Sequence, residues 1–280
     1  MFRRNFLKTA AALGVVSAAQ TAKADLVIPG QRRTRRPQPE TTDDVSDAQT
    51  SYILLETYAA QSVAKRDELL GVFDEKLIPD RNKLGFDKIG VFYVDAELMK
   101  GDRGYEADKF DAAVFVVQES FSVDAILKLQ KRVADEFTLF NQTDDLQYVD
   151  QEMTLLQSVD AQPRIAVPYT NAERLLQLRT YNSPNYERNF KKVQMFESGE
   201  LDVFKSCGMN PVFMGTTILG SWIPNITYML SFENDEARRE GWGKFGGHPE
   251  WKKMSQDPQF ARTATRIRNL FLRPSQGSQI

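Results

Sequence analysis

The tetrapeptide Leu55-Glu56-Thr57-Tyr58 recurs 123 residues later as Leu178-Arg179-Thr180-Tyr181. Gly85 and Gly208, each of which follows a stretch with helical spacing, keep the same separation, so no residue is gained or lost between the two landmarks. A repeat of this kind has to be found before single elements are assigned, because it constrains the whole fold. Two landmarks at one offset predict an internal duplication.

Each copy shows the same succession of sequence patterns. A run of alternating polar and apolar residues predicts a first strand, and apolar residues at helical spacing predict the helix that follows it. Two further strands, a second helical stretch and a last strand complete the copy. The predicted strands are 53–58, 89–94, 112–117 and 153–159 in the first copy, and 175–181, 212–217, 226–232 and 267–272 in the second. The order is therefore βαββαβ twice, which is the ferredoxin-like pattern.

Finer features predict helix starts and the alignment of strands. In the second copy, Ser183 as N-cap and Pro184 as the first helical residue predict where the first helix begins. Phe190 falls at the spacing of the apolar, core-facing positions of that helix. The third strands align at 113–117 and 227–231, an offset shortened to 114, which fits a longer loop in the first copy.

A four-stranded sheet with helices on one face leaves its other face bare. Burial of that face is worth ~25 cal/mol per Å² of apolar area, so the exposed arrangement is the less stable one. Two copies in one chain can bury the two bare faces against each other. We therefore expect an α+β fold in which two tandem ferredoxin-like repeats, residues 51–165 and 172–276, form a dimeric-type α/β barrel around a central space.

The first 50 residues have the layout of an export signal followed by a polar leader. Residues 1–24 carry four basic and no acidic side chains, beginning with Arg3-Arg4, and continue through a short apolar run to Ala22-Lys23-Ala24. The apolar run is too short to span a bilayer. Adjacent arginines followed by Asn-Phe-Leu-Lys resemble the twin-arginine motif. We expect cleavage near Ala24, a periplasmic or otherwise exported protein, and a flexible polar leader over 25–50.

The composition excludes several classes of function. A chain of 280 residues with a net charge of -2 lacks the basic footprint that nucleic acid binding needs, and removal of the four basic residues of the signal leaves -6. Cys207 is the only cysteine, which excludes an internal disulfide and a multi-cysteine metal site. His248 is the only histidine, so any imidazole-based catalytic apparatus would have to use it.

The second copy contains several motifs in order, namely Leu178-Arg179-Thr180-Tyr181, Lys192-Val193-Gln194-Met195-Phe196, Cys207-Gly208-Met209-Asn210-Pro211, Thr227-Tyr228-Met229-Leu230-Ser231-Phe232, Pro249-Glu250-Trp251 and Leu272-Arg273-Pro274. Together, these motifs resemble the NIPSNAP family. The resemblance implies the dimeric α/β barrel superfamily and an exported bacterial branch, and it implies no established reaction. Some related barrels bind haem through a histidine, which makes His248 a haem-ligand hypothesis, although its place in a Gly-rich loop is more typical of a surface residue. No cofactor is otherwise expected.

The first strand of each copy supplies the main candidate site. Strand alternation separates Leu178 from Arg179 and Tyr181, and if the leucines meet the helices, the arginine and tyrosine point into the barrel. By the repeat, Glu56 and Tyr58 occupy the equivalent positions. One interpretation is a structural ion pair between Glu56 and Arg179. The other is that Arg179 holds an anionic or enolic ligand with a tyrosine as hydrogen-bond donor.

A second group of candidate ligand-binding residues lies at predicted strand ends, namely Asn210, Asn225 and Tyr228. Three functions remain open. The first is binding of a small ligand or a partner in or around the barrel. The second is a cofactor-independent monooxygenase or isomerase that uses Arg179 and the interior tyrosines. The third is a structural interaction module, and a homodimer or higher homo-oligomer is compatible with each of them.

Overall fold

The computed structural model describes residues 50–280, apart from residue 103 and residues 141–147, and leaves the side chains of 133–149 undescribed. The predicted signal of residues 1–24 and nearly all of the leader predicted over 25–50 lie outside the described residues. The account below concerns the remainder, which holds both predicted repeats.

Eight antiparallel strands close into a barrel in the described part of the chain. Going round the barrel, the order is β1-β3-β2-β8-β5-β7-β6-β4, so β2 meets β8 at one seam between the halves and β6 meets β4 at the other. The structure thus shows a mixed α/β fold on a closed barrel. The strands are β1 (Tyr52–Ala60), β2 (Gly90–Val94), β3 (Ala113–Ser120), β4 (Tyr148–Ser158), β5 (Leu175–Asn182), β6 (Asn210–Leu219), β7 (Asn225–Phe232) and β8 (Arg266–Pro274).

Helices connect the strands and cover the outside of the barrel. None of those among the described residues is long and apolar enough to cross a membrane. One π-helical turn, Phe73–Leu77, joins α1 to α2, and another, Phe196–Glu200, joins α6 to α7. The helices are α1 (Val63–Val72), α2 (Ile78–Lys83), α3 (Ala96–Met99), α4 (Ala107–Phe110), α5 (Val123–Phe140), α6 (Tyr186–Met195), α7 (Leu201–Ser206), α8 (Asp235–Gly247) and α9 (Pro249–Gln256).

The first helical segments of the two halves coincide at the 123-residue offset. The bounds of α1, its π-helical turn and α2 each reappear 123 residues later in α6, its turn and α7. Gly85 and Gly208, which follow these segments, both have positive φ, 87° and 77°, where glycine is the least strained residue. The predicted helix start was wrong by two residues, because Asn185 rather than Ser183 caps α6 and accepts a hydrogen bond from the Arg188 amide.

The register of the strands corrects the predicted alignment of the third strands. Tyr52 pairs with Ser120, and Leu175, 123 residues after Tyr52, pairs with Phe232. The third strands are therefore offset by 112 residues and not by 114. The shift of two keeps strand alternation intact, since the side-chain period of a strand is two.

The faces of the first strands are the reverse of those predicted. A single apolar cluster with members from all eight strands, including Leu178 of β5, fills the barrel interior, and Leu55 packs against it. Tyr58 packs instead with Leu69 and Phe73 of the helical layer, outside the barrel. An eight-stranded barrel can be filled by its own side chains, and here apolar groups take most of the inward positions while Glu56 and Arg179 face the helices.

Candidate functional site

Glu56 does not pair with Arg179, as one interpretation of the sequence expected. The Glu56 carboxylate instead accepts a hydrogen bond from Arg81 of α2, with 2.5 Å between Oε2 and Nη1, and both side chains are fully buried. The same Nη1 donates to Gln118 Oε1 at 2.9 Å. Glu56 faces outward from β1, so it meets Arg81 of the helix α2 that covers this strand. A pair between Glu56 and Arg179 would have to cross the apolar interior of the barrel.

Tyr58 completes this buried network of the first half. Its hydroxyl donates to Glu56 Oε1 at 3.0 Å. Burial and the Glu56 carboxylate raise the pKa of Tyr58 well above that of a free phenol. Tyr58 therefore keeps its proton and donates it in a hydrogen bond that stabilises the buried Glu56 carboxylate. In this half, the predicted site residues form a buried polar network between the strand and its helix.

Arg179 lies on the helix-facing side of β5 with aromatic neighbours. Its guanidinium carbon is 4.7 Å from the ring centroid of Trp242 and 5.2 Å from that of Tyr181. Arg179 forms no ion pair within 4.0 Å among the described residues, and its buried Nε has no hydrogen-bond acceptor there. Cation-π contacts of this kind stabilise a cation without a carboxylate.

A buried ion pair lies in the same layer of the second half. Lys192 Nζ is 2.6 Å from Glu200 Oε2, and it lies over the ring of Phe196 at 4.2 Å. Burial raises the pKa of Glu200, although the Lys192 ammonium opposes the shift. Tyr228 donates its hydroxyl proton to the Tyr181 hydroxyl at 2.9 Å, and burial raises the pKa of Tyr228 well above its usual value.

The remaining predicted residues lie apart from this layer. Asn210, at the start of β6, donates to the Tyr169 hydroxyl at 3.1 Å. Asn225, at the start of β7, accepts from Thr217 Oγ1 at 2.7 Å and donates to two main-chain carbonyls of the β6–β7 loop. His248 joins α8 to α9, and its buried Nδ1 has no hydrogen-bond partner among the described residues. The seven candidates therefore form no single constellation.

The barrel interior offers little room for a ligand. Its cavity, at the end lined by Thr57, Thr180, Asn225 and Arg268, has a volume of about 40 Å³. That volume admits water but not an organic molecule. The part of the chain that the structure describes also contains no cluster of three or more His, Cys, Asp or Glu side chains that could hold a metal ion.

Two large clefts lie outside the barrel, one at each seam between the halves. The first, which we call the α1 cleft, has a volume of about 910 Å³ and is lined by Val63 and Arg66 of α1. Six carboxylates and two arginines make it strongly charged. The two arginines are already paired, Arg66 with Asp67 and Arg273 with Asp95.

The second, which we call the α6 cleft, has a volume of about 640 Å³ between α6 and the ends of β4 and β6. Tyr186 and Phe190 of α6 line it with 71% and 59% of their surfaces exposed. Phe190 was predicted to face the core and does not. Val193 and Ile218 add apolar surface, while Gln157, Asn189 and Thr216 supply hydrogen-bonding groups.

Glu197 and Asp160 are the only charged residues in the lining of the α6 cleft. Partial burial and the neighbouring Asp160 carboxylate raise the pKa of Glu197, against the opposing effect of the main-chain amides of Asp160 and Ala161. Sequence reasoning missed this cleft because the apolar residues of α6 were assigned to the core. The signal that was available is the repeat, since Phe190 is equivalent to Asp67, an acidic residue that no core would take.

The fold defines this molecule as an α/β protein on a closed, eight-stranded antiparallel barrel. Within that class, residues 176–279, which make up most of the second half, match the model of the NIPSNAP family. A comparison of the sequence with curated proteins finds no match.

Two solved structures of the same barrel architecture are similar to the whole described chain. One is a proposed monooxygenase from Lactobacillus acidophilus NCFM, with a TM-score of 0.55 and 13% identity, over 81% of this chain and 95% of that one. Another is a proposed monooxygenase from Fusobacterium nucleatum subsp. nucleatum ATCC 25586, with a TM-score of 0.53 and 10% identity, over 81% and 93% of the two chains. At these identities the likeness shows the fold alone.

A NIPSNAP-like domain protein from Burkholderia xenovorans is similar over a shorter stretch. It has a TM-score of 0.33 and 20% identity, over 38% of this chain and 89% of that one.

Proposed function

We propose that this protein binds a small, largely apolar ligand in the α6 cleft. The observation that carries the proposal is the exposure of two aromatic side chains, Tyr186 and Phe190, inside a concave space of about 640 Å³. Ligand sites have volumes of roughly 300–1,000 Å³, mostly apolar walls and a few polar groups that orient the ligand. The α6 cleft has a volume in this range, and apolar side chains, two of them aromatic, share its wall with polar groups.

The alternatives have less support. A ligand inside the barrel would need more than the cavity of about 40 Å³ that is present there. A cofactor-independent monooxygenase or isomerase that used Arg179 and Tyr181 would need a cavity beside them, and neither residue lines any of the clefts described above. Ligand binding at the α6 cleft is therefore the function that the geometry favours, whether or not a reaction follows.

The test is binding of a neutral apolar dye, N-phenyl-1-naphthylamine, followed by its fluorescence. We expect one site per chain, and Phe190→Ser should weaken binding by about tenfold or more, the loss that removal of an aromatic contact brings. The control is Leu127→Ser on α5, since Leu127 is similarly exposed, at 56%, and does not line the cleft. Absence of dye binding, or equal loss in the two variants, would overturn the proposal.

We further propose that the two halves are tandem ferredoxin-like repeats and that the whole chain is of NIPSNAP type. The common offset of α1 and α6 supports a duplication. The strand orders β4-β1-β3-β2 and β8-β5-β7-β6 within the barrel support it too, because they correspond strand for strand.

The exported location stays a prediction from residues 1–24 and is part of the proposal. Its test is the N-terminus of the protein recovered from the producing cells, which we expect at Asp25. Replacement of Arg3 and Arg4 by lysines should block export, because the twin-arginine system reads both arginines. Export that continued unchanged in this variant would contradict the twin-arginine route.

A further inference from the structure

The α6 cleft combines aromatic surface with negative charge. Its lining contains no lysine or arginine, and its charged members are Glu197 and Asp160. Lys191 of α6 does not line this cleft. It lines a neighbouring one, which Glu197 also borders, and Lys191 Nζ donates a hydrogen bond to Gln194 at 3.0 Å. The charged residues of the α6 cleft are therefore both acidic, and they share its lining with apolar side chains.

The equivalent position in the first half shows what is unusual about Glu197. Asp74 lies 123 residues earlier, at the same place in the first π-helical turn. The segment that follows β8 crosses this turn, and Ser275 donates its hydroxyl proton to Asp74 Oδ1. The segment that follows β4 crosses the second turn and presents another carboxylate, Asp160, to Glu197. Both acids thus accept hydrogen bonds from the segment that crosses them, Asp74 from Ser275 and Glu197 from the main-chain amides of Asp160 and Ala161, but only the second half brings a second carboxylate to the cleft.

We infer that the ligand of the α6 cleft is an organic cation, an amine that carries an aromatic or aliphatic group. The ammonium would lie against the Glu197 and Asp160 carboxylates, and the apolar group would pack on Phe190 and Tyr186. Carboxylates attract the charge, and aromatic faces favour a cation next to them. This inference rests on the proposed function, since it names the class of ligand for the same cleft.

A second copy of the chain is a less suitable occupant. A stable interface takes about 20–30 residues a side over a broad surface. In and beside the α6 cleft, the large exposed apolar side chains are those of Tyr186, Phe190, Ile218 and Leu219. All except Leu219 line the concave space. Concavity and a short apolar wall fit a small molecule better than a flat partner surface.

The experiment uses the full chain and three probes of similar shape, namely 2-phenylethylammonium, 2-phenylethanol and 3-phenylpropionate. Affinities are measured by titration calorimetry or by chemical-shift changes in the protein. We expect the ammonium to bind about tenfold more tightly than the alcohol, and the carboxylate to bind most weakly. Glu197→Gln should reduce the affinity for the ammonium to that for the alcohol and leave the alcohol unaffected. Asp74→Asn, at the equivalent position of the first half, should change neither.

The outcomes separate the inference from the proposed function. Equal affinity for all three probes, lost together in Phe190→Ser, would overturn the cation and keep the apolar cleft. Binding of none of them, with no binding of the dye, would overturn both. Sedimentation that showed a dimer broken by Phe190→Ser would assign the surface to a second copy and would also overturn both. A preference for the ammonium that survived Glu197→Gln would contradict the role given to this carboxylate.

Discussion

The two halves of the barrel place opposite charges at one equivalent position and stabilise them differently. Glu56 in the first half is fully buried and bonded to Arg81, Tyr58 and Gln151. Arg179 in the second half has aromatic rings beside it and no carboxylate within ion-pair distance among the described residues. The buried Glu200 carboxylate in the second half forms its ion pair with Lys192 and not with Arg179. The two halves therefore share one order of strands, while each half satisfies its buried charges with its own helices.

The largest expected effect is the loss of the first-half pair. Arg81→Met leaves the Glu56 carboxylate buried without its cation, and removal of one partner of a buried pair costs about 3–5 kcal/mol. Urea denaturation would measure the free energy of unfolding. The double variant Glu56→Leu/Arg81→Met is the control, because replacement of both charges by apolar groups should recover most of the loss. A single variant as stable as the native protein would show that this pair is not the stabilising feature of the first half.

The second-half pair should give a comparable defect that depends on pH. Lys192→Met removes the stronger of the two cations that lower the pKa of Glu200, the other being Arg179, so the pKa of this buried carboxyl, already raised from 4.5, shifts further upward. The folded state then holds a proton that the unfolded state releases above pH 4.5, so stability falls as pH rises from there to the folded-state pKa. We expect a loss of about 3–5 kcal/mol near neutrality. Below the ordinary pKa of a glutamate, the loss should be much smaller.

Denaturation of Lys192→Met and of the native protein, each at about pH 4 and about pH 7, would check this, since between these values the unfolded state loses a proton that the raised pKa keeps on the folded state. The native protein is the control for the general effect of acid on the barrel. An equal defect at both pH values would mean that Glu200 stays charged in the variant, with a partner other than Lys192.

Sequence patterns predicted the backbone well and the side-chain partners poorly. Alternation and helical spacing depend on neighbouring residues, so the strand over 53–58 and its repeat over 175–181 both have the predicted type. The inward or outward direction of Glu56 depends on which face the barrel closes over, and local alternation is the same for both choices. Arg81, its partner, lies 25 residues away on α2, and no local sequence pattern indicates that the two side chains meet.

Removal of the second-half arginine should have a smaller effect than removal of the first-half one. Arg179→Met gives up cation-π contacts with Trp242 and Tyr181, which are worth about 0.5–2 kcal/mol, while Glu200 keeps its ion pair with Lys192. The same urea experiment measures it beside Arg81→Met, and Arg179→Lys is the control that keeps the charge. A loss as large as that of Arg81→Met would show that Arg179 stabilises Glu200 across the layer, and the two halves would then be more alike than their hydrogen bonds indicate.

The smallest expected effects come from the two helix caps, where the halves should behave alike. Ser62 and Asn185 lie 123 residues apart, and their side chains accept hydrogen bonds from the amides of Lys65 and Arg188. Loss of such a cap costs about 1 kcal/mol, so Ser62→Ala and Asn185→Ala should destabilise the protein by similar amounts. The Arg188 amide should exchange faster with solvent in Asn185→Ala and not in Ser183→Ala, because Ser183 donates to the Thr263 carbonyl and caps nothing. Faster exchange in Ser183→Ala alone would show that Ser183 is the N-cap and that α6 begins at Pro184, as the sequence predicts. The helices α1 and α6 would then not begin at equivalent positions.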